Sequence, residues 1–297
     1  MRRKANFTLR GRWRKRNAIE LAWILFVAVV PAARSQTVGQ FRQQGETAFN
    51  NGNLDVAIAF YNQAIELDPK DANVYIARGV AKEAEGDGEG ALADYNQAIA
   101  MNPKSSLAYS NRGDIKKDRG DLDGSLADFN RAIALNSRFS DPYCERGFLK
   151  NIRGDLDGAA ADFEQAIAFG PKNSRAYYGR GVTRQAKGDM DGAMADFNQA
   201  IGINPKMAEA YIGRGNVKRG KGDPEGALAD YNTAIKLSPM SFQPYTYRGY
   251  VKSKIGDISG AKADFVRAIE LNPQAQKLIE EHGYSLDGTG IVRNPKN

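Results

Sequence analysis

Glycine returns every 34 residues along most of this chain, at Gly45, Gly79, Gly113, Gly147, Gly181, Gly215, Gly249 and Gly283. A fixed period of that length means one supersecondary unit copied in tandem, each copy too small to bury its apolar face alone. Other columns keep the same step. An aromatic falls at Phe41, Tyr75, Tyr109, Tyr143, Tyr177, Tyr211 and Tyr245, and a second at Tyr61, Tyr95, Phe129, Phe163, Phe197, Tyr231 and Phe265. Ala or Ser recurs from Ala57 to Ala261, and Pro closes every unit except the third, where Ser137 stands instead.

Within one unit, 174–207, the spacings are helical. Tyr177, Gly181 and Arg184 share one face of a first helix, and Ala193, Phe197 and Ala200 share one face of a second. Gly188-Asp189 breaks the run and offers Asp189 as N-cap of the second helix. Asn204-Pro205 ends it. Gly181 and Ala193 have almost no side chain, so the two helices are expected to approach closely there while the aromatics fill the wider gaps. Pro142, Pro224 and Pro244 fall in first turns, where a missing N–H costs little.

In its small-residue, aromatic and terminal-proline columns the chain resembles the tetratricopeptide repeat family over residues 36–275. The resemblance implies an all-α, right-handed superhelical solenoid of antiparallel hairpins. Seven units follow: 38–71, 72–105, 106–139, 140–173, 174–207, 208–241 and 242–275. Residues 276–297 are left for a capping helix over 276–286, with Ile279 and Gly283 in register, and a frayed tail. Two columns depart from the family's commonest pattern: Tyr replaces Trp in the first helix, and Arg replaces Leu before the glycine.

The copies serve as their own alignment. Arginine before the glycine accompanies aspartate sixteen residues later, giving Arg78/Asp94, Arg112/Asp128, Arg146/Asp162, Arg180/Asp196, Arg214/Asp230 and Arg248/Asp264. The first unit loses both together, having Gln44 and Phe60. In a hairpin turning near its fifteenth residue these positions face each other, so a structural ion pair is expected inside each hairpin.

Catalysis has little to work with. The single histidine, His282, occupies the arginine column of a trailing half-unit, and the single cysteine, Cys144, has no histidine to activate it. Cys/His metal sites fail on count. Gly-Asp-x-Asp-Gly at 120–124, 154–158 and 188–192 has the look of a calcium loop. It lacks the closing bidentate Glu such a loop needs, and helix capping accounts for it. The expectation is a protein that is not an enzyme and has no cofactor or metal.

The resemblance places the second, fifth, ninth and twelfth positions of each first helix on a concave groove that holds peptides or partner helices. The fifth and ninth read Arg42/Glu46, Ile76/Val80, Ser110/Asp114, Cys144/Phe148, Tyr178/Val182, Ile212/Asn216 and Thr246/Tyr250. These vary while the packing columns do not, as in a frame carrying a changeable surface. The pairs from Ile76 to Tyr250 are the candidate peptide groove, apolar and aromatic in its middle. Arg42 with Glu46 does not supply the Lys and Asn arrangement with which some relatives clamp a terminal carboxylate. Expected partners are proteins or peptides, bound by a scaffold or adaptor. The alternative is a structural subunit of an envelope assembly, docking through its ends or convex surface.

Charge bears on the start of the chain. The net +7 is uneven: residues 1–35 hold nine basic residues against Glu20 alone, and the rest hold 33 basic against 34 acidic. A nucleic-acid partner, which needs a retained basic surface, is therefore not expected. Basic residues, the apolar run 18–30 and a small-residue stretch 31–35 make an export signal. It is either cleaved before Gln36, leaving a periplasmic or extracellular protein, or kept as an inner-membrane anchor with the repeats outside the cytoplasm.

Overall fold

The computed structural model describes residues 37–287 and 290–293. The signal or anchor read at 1–35 lies outside the described residues. Fifteen helices run in order among those described: α1 Val38–Asn50, α2 Leu54–Leu67, α3 Ala72–Glu85, α4 Gly88–Met101, α5 Ser106–Asp118, α6 Leu122–Leu135, α7 Ser140–Ile152, α8 Leu156–Phe169, α9 Ser174–Ala186, α10 Met190–Ile203, α11 Ala208–Gly220, α12 Pro224–Leu237, α13 Gln243–Lys254, α14 Ile258–Leu271 and α15 Gln274–Glu281. Two short strands follow, β1 Tyr284–Asp287 and β2 Gly290–Arg293, paired antiparallel. The class is all-α, and the seven hairpins pair odd-numbered first helices with even-numbered second helices.

Local chemistry sets the ends of each helix. In the fifth hairpin, Asn173 caps α9 by accepting the Ala176 N–H at 3.1 Å. The chain reverses at Gly188, whose φ of +86° is open to glycine at little cost. Asp189 then caps α10 by accepting the Gly192 N–H at 2.9 Å. The C-cap Asn204 closes the helix, its side-chain oxygen accepting the Lys206 N–H across Pro205 at 3.1 Å. The same reversal recurs in the other hairpins, so the period of the sequence is a period of turns.

Packing follows from the glycine column, though not as a simple close approach of Gly181 to Ala193. Phe197 is fully buried, and a Cβ on Gly181 would lie 2.8 Å from its ring. A Cβ on Gly213 of the next hairpin would lie 2.6 Å from the same ring. The ring therefore occupies the space two glycines vacate, one from its own hairpin and one from its neighbour. Burying a ring of this size contributes about 2–3 kcal/mol, and the arrangement splits that gain between two adjacent repeats.

The described chain divides into two compact units, one through Ile115 and one from Lys116, the division falling inside α5. In the first, Phe41, Tyr61 and Val74 centre one cluster, and Tyr75, Ile76 and Tyr95 a second. In the second unit each first helix touches the next, α7 to α9 to α11 to α13, and each second helix packs on the first helix that follows it.

The end of the chain departs from expectation. The helix expected over 276–286 begins at Gln274 and stops at Glu281, because Gly283 adopts φ +81° and turns the chain. Residues 284–287 and 290–293 pair as antiparallel strands, where the end of that helix and then a frayed tail were expected. Ile279 and Tyr284 pack with Tyr250 and Phe265, so α15 and the hairpin cover the last repeat.

Candidate functional site

Each arginine before the column glycine is held on every side. Arg78 donates Nε to Asp94 Oδ2 at 2.9 Å and Nη2 to Oδ1 at 2.6 Å. The same two-pronged bond joins Arg146 to Asp162, Arg180 to Asp196, Arg214 to Asp230 and Arg248 to Asp264. Arg112 belongs to the first unit and Asp128 to the second. Five of the arginines also donate Nη1 backwards to an asparagine of the preceding repeat, Arg112 to Asn96 at 2.9 Å and Arg146 to Asn130 at 2.7 Å among them, whereas Arg180 has Glu164 at that position. Their guanidiniums stand 5.3–5.7 Å over the tyrosine three residues earlier, as Arg112 does over Tyr109 and Arg180 over Tyr177. The two departures from the family pattern are therefore in contact with each other, the arginine stacking on the tyrosine ring.

The sequence reading missed a second cation. Lys82, Lys150, Arg184, Lys218 and Lys252 reach Oδ2 of the same aspartates, the oxygen that also accepts the arginine Nε, at 2.8–2.9 Å, and Lys116 reaches Asp128 at 2.8 Å. These six also stand 34 residues apart, four after each arginine, a column visible in the sequence once looked for. In the first hairpin, where the pair is missing, Phe60 packs on Phe41 at 6.4 Å and the buried Gln44 Oε1 accepts no hydrogen bond.

The calcium-like loops resolve into two structural tasks. Asp121, Asp155 and Asp189 cap helices. The second carboxylates, Asp123, Asp157 and Asp191, pair with Arg153, Lys187 and Lys221 of the next hairpin. Among the described residues no acidic, His or Cys cluster is arranged to hold a metal ion.

The variable first-helix residues do not all reach the surface. Ile76, Ser110, Cys144 and Thr246 are buried, and Tyr178 and Ile212 are half-buried. The fifth position faces the next first helix: Cys144 shares a cluster with Ala176, and Ile76 with Ala108. Burial pushes the Cys144 thiol far up its scale, so it carries no reactive thiolate. At the ninth position Val80, Asp114, Phe148, Val182 and Asn216 are half-buried. Asn216 accepts the Tyr231 hydroxyl at 2.8 Å. Tyr250 is buried in the C-terminal seal, donating its hydroxyl to Leu278 O at 2.8 Å and stacking on His282 at 4.6 Å.

Phe148 and Tyr178 are different, because they line a pocket. It is open, about 510 Å³, and bounded also by Lys117, Glu145, Arg175, Lys206 and Glu209, all in the second unit. Glu145, only 6% exposed in its side chain, accepts from Lys117 at 2.5 Å and pairs with Arg175 at 2.7 Å. One carboxylate on α7 thus ties the last turn of α5 to the first turn of α9. Arg175 stands 5.5 Å over the Phe148 ring, which meets Phe163 edge-on at 5.0 Å and Tyr178 at 6.4 Å. The Tyr178 hydroxyl is held above its ordinary pKa by burial first and by Glu209 second. Lys117 and Arg175 occupy the twelfth and second positions, and Glu145 the sixth. The signal for Glu145 was a column that varies along the array: Gln43, Ala77, Asn111, Glu145, Gly179, Gly213, Tyr247.

Family comparisons agree with this frame. The profile described as TPR repeat matches residues 45–86, and two described as Tetratricopeptide repeat match 76–138 and 153–208, and 208–239 and 243–275. The chain belongs to the tetratricopeptide repeat family. Tetratricopeptide arrays are protein-interaction scaffolds, generally without catalysis of their own. No curated protein matches this array in sequence. Among solved structures it resembles a tetratricopeptide repeat protein of Parabacteroides merdae, with TM-score 0.62 and 21% identity over 82% of this chain and 97% of that one. A chain of the APC/C hetero-tetramer Cut9–Hcn1 matches with TM-score 0.70 and 17% identity, over 77% of this chain and 48% of that one. PilF of Pseudomonas aeruginosa matches with TM-score 0.62 and 15% identity, over 72% of this chain and all of that one. Identities this low show the tetratricopeptide fold alone. No described helix is long and apolar enough to cross a membrane.

Proposed function

We propose that this protein is a scaffold that captures a segment of a partner protein on the first-helix surface of its second unit, with Phe148 and Tyr178 as anchors. The open pocket beside these two rings carries the reading. Half-buried aromatics fixed by neighbouring rings present large apolar area at little entropic cost, the usual character of an interface anchor. Ile76, Ser110, Cys144, Thr246 and Tyr250 are buried, so the anchoring falls to fewer residues than the full set of variable positions. Affinity capture from the source cell with Phe148→Ala and Tyr178→Ala tests it. Loss of the same partners from both variants, at about tenfold or more in affinity, supports this site. Unchanged partners favour the other reading, a subunit docked through its ends or convex surface.

Export rests on the basic, apolar and small-residue succession in 1–35. Mass spectrometry of the mature N terminus checks it, with a chain beginning at Gln36 expected and an intact Met1 counting against cleavage.

A further inference from the structure

The first hairpin departs from the other six at several columns, and the departures meet in one place. Gln40 stands where later first helices carry Val74, Ala108, Pro142, Ala176, Ala210 and Pro244. In α3 that position faces α2, Val74 sharing a cluster with Tyr61. Gln44 and Phe60 replace the Arg/Asp pair. Asn53 replaces the aspartate that caps the second helix elsewhere, and Val56 replaces the glycine that makes room for that cap. A Cβ on Gly90 would lie 2.0 Å from Asp87 Oδ2, so a side chain in this column excludes the capping geometry. Asn53 accordingly makes no side-chain cap, and its amide is released from that task.

These residues line an open pocket of about 440 Å³ in the first hairpin. Five of its eight lining residues are primary amides, Gln40, Gln43, Gln44, Asn51 and Asn53, and none of the eight is charged. Solvated faces are ordinarily rich in Lys, Arg, Asp and Glu; this one has amides and an aromatic ring instead. The only charged residues of α1, Arg42 and Glu46, pair with each other at 3.5 Å. Gln44 Oε1 is buried and accepts no hydrogen bond, so the pocket holds a desolvated polar atom that a ligand's O–H would satisfy. Phe60 is half-buried, its ring set 6.4 Å from that of Phe41.

We propose that this pocket binds a neutral oligosaccharide. Each sugar hydroxyl both donates and accepts, and so does each primary amide, so the two pair whichever way the amide is turned. The C–H face of a pyranose ring is apolar and lies on Phe60, the remaining hydroxyls meeting the amides around it. An ionised ligand would leave water without finding a counter-charge among the lining residues. The site is separate from Phe148 and Tyr178, and neither reading depends on the other.

Saturation-transfer NMR on the full-length protein tests it, with maltopentaose, cellopentaose and chitopentaose as neutral probes. An oligogalacturonate serves as the charged comparison and a polyglutamine peptide as the amide-rich one. At least one neutral sugar is expected to receive saturation at its ring C–H protons. Its affinity is expected to fall about tenfold in Gln43→Ala/Asn53→Ala and to stay unchanged in Phe148→Ala. Gln43 and Asn53 are exposed and Asn53 caps nothing, so circular dichroism of the double variant should show an intact fold. No transfer to any of the neutral sugars at millimolar concentration overturns the inference. So does sugar binding that survives Gln43→Ala/Asn53→Ala or is lost in Phe148→Ala, and so does binding confined to the galacturonate or the peptide.

Discussion

Asp196 is 3% exposed and receives Arg180 through two bonds and Arg184 through a third. Removing the two sides of this arrangement has unequal consequences. Asp196→Ala strands two cations at a partly buried site, whereas Arg180→Ala leaves Arg184 on the carboxylate. Stranding a buried partner costs about 3–5 kcal/mol. Asp196→Ala is therefore expected to lower the denaturant midpoint more than Arg180→Ala, and the double variant to be less destabilised than the sum of the two. Additive effects would show that the residues act independently. Of this ladder the sequence revealed the arginine and the aspartate, because the first repeat loses both at once. It hid the second cation, because a lysine column on a helix is also what a solvated face looks like. The bond from Arg112 back to Asn96 was likewise out of reach, since it crosses from one copy to the next.

At the scale of the elements, hairpins were legible because Gly-Asp and Asn-Pro mark their turns and the copies confirm one another. The terminal element had no copy to be compared with. Its helix ends early at Gly283, and a β-hairpin follows that no column foretold. The candidate site was only half legible for a related reason. Phe148 and Tyr178 stood out as variable first-helix residues, but Lys117, Glu145 and Arg175 lie on three successive first helices and meet only after folding. The terminal element also carries a prediction. Ile279 is 1% exposed, and it packs with Tyr250 and Phe265. A chain ending at Asn272 uncovers these groups, at a cost of roughly 3–6 kcal/mol for two large apolar side chains. Its melting temperature should fall, and its last hairpin should lose amide-exchange protection before the others. Unchanged protection in α13 and α14 would show that α15 is only an appendage.

Over the whole molecule, one titration follows from the aromatic columns. Tyr61, Tyr95, Tyr178, Tyr231 and Tyr250 are all raised above 10.0, in each case chiefly by burial. Above pH 10 the unfolded chain gives up protons that the folded chain keeps, so stability declines as pH rises further. Tyrosinate absorbance should lag behind that of free tyrosine, then rise together with loss of helical circular dichroism. Full titration near pH 10 with the helices intact would contradict this. The repeating contacts bear on how such a chain grows. Phe197 rests on a glycine of its own hairpin and one of the next, and Arg146 bonds backwards to Asn130, so a duplicated repeat spliced between two others finds its partners waiting on both sides. The Lys117–Glu145–Arg175 link is the exception, because it counts three consecutive repeats and tolerates no insertion among them. Lengthening the array on either side of the 140–173 repeat is therefore expected to take this link, and the pocket it borders, apart.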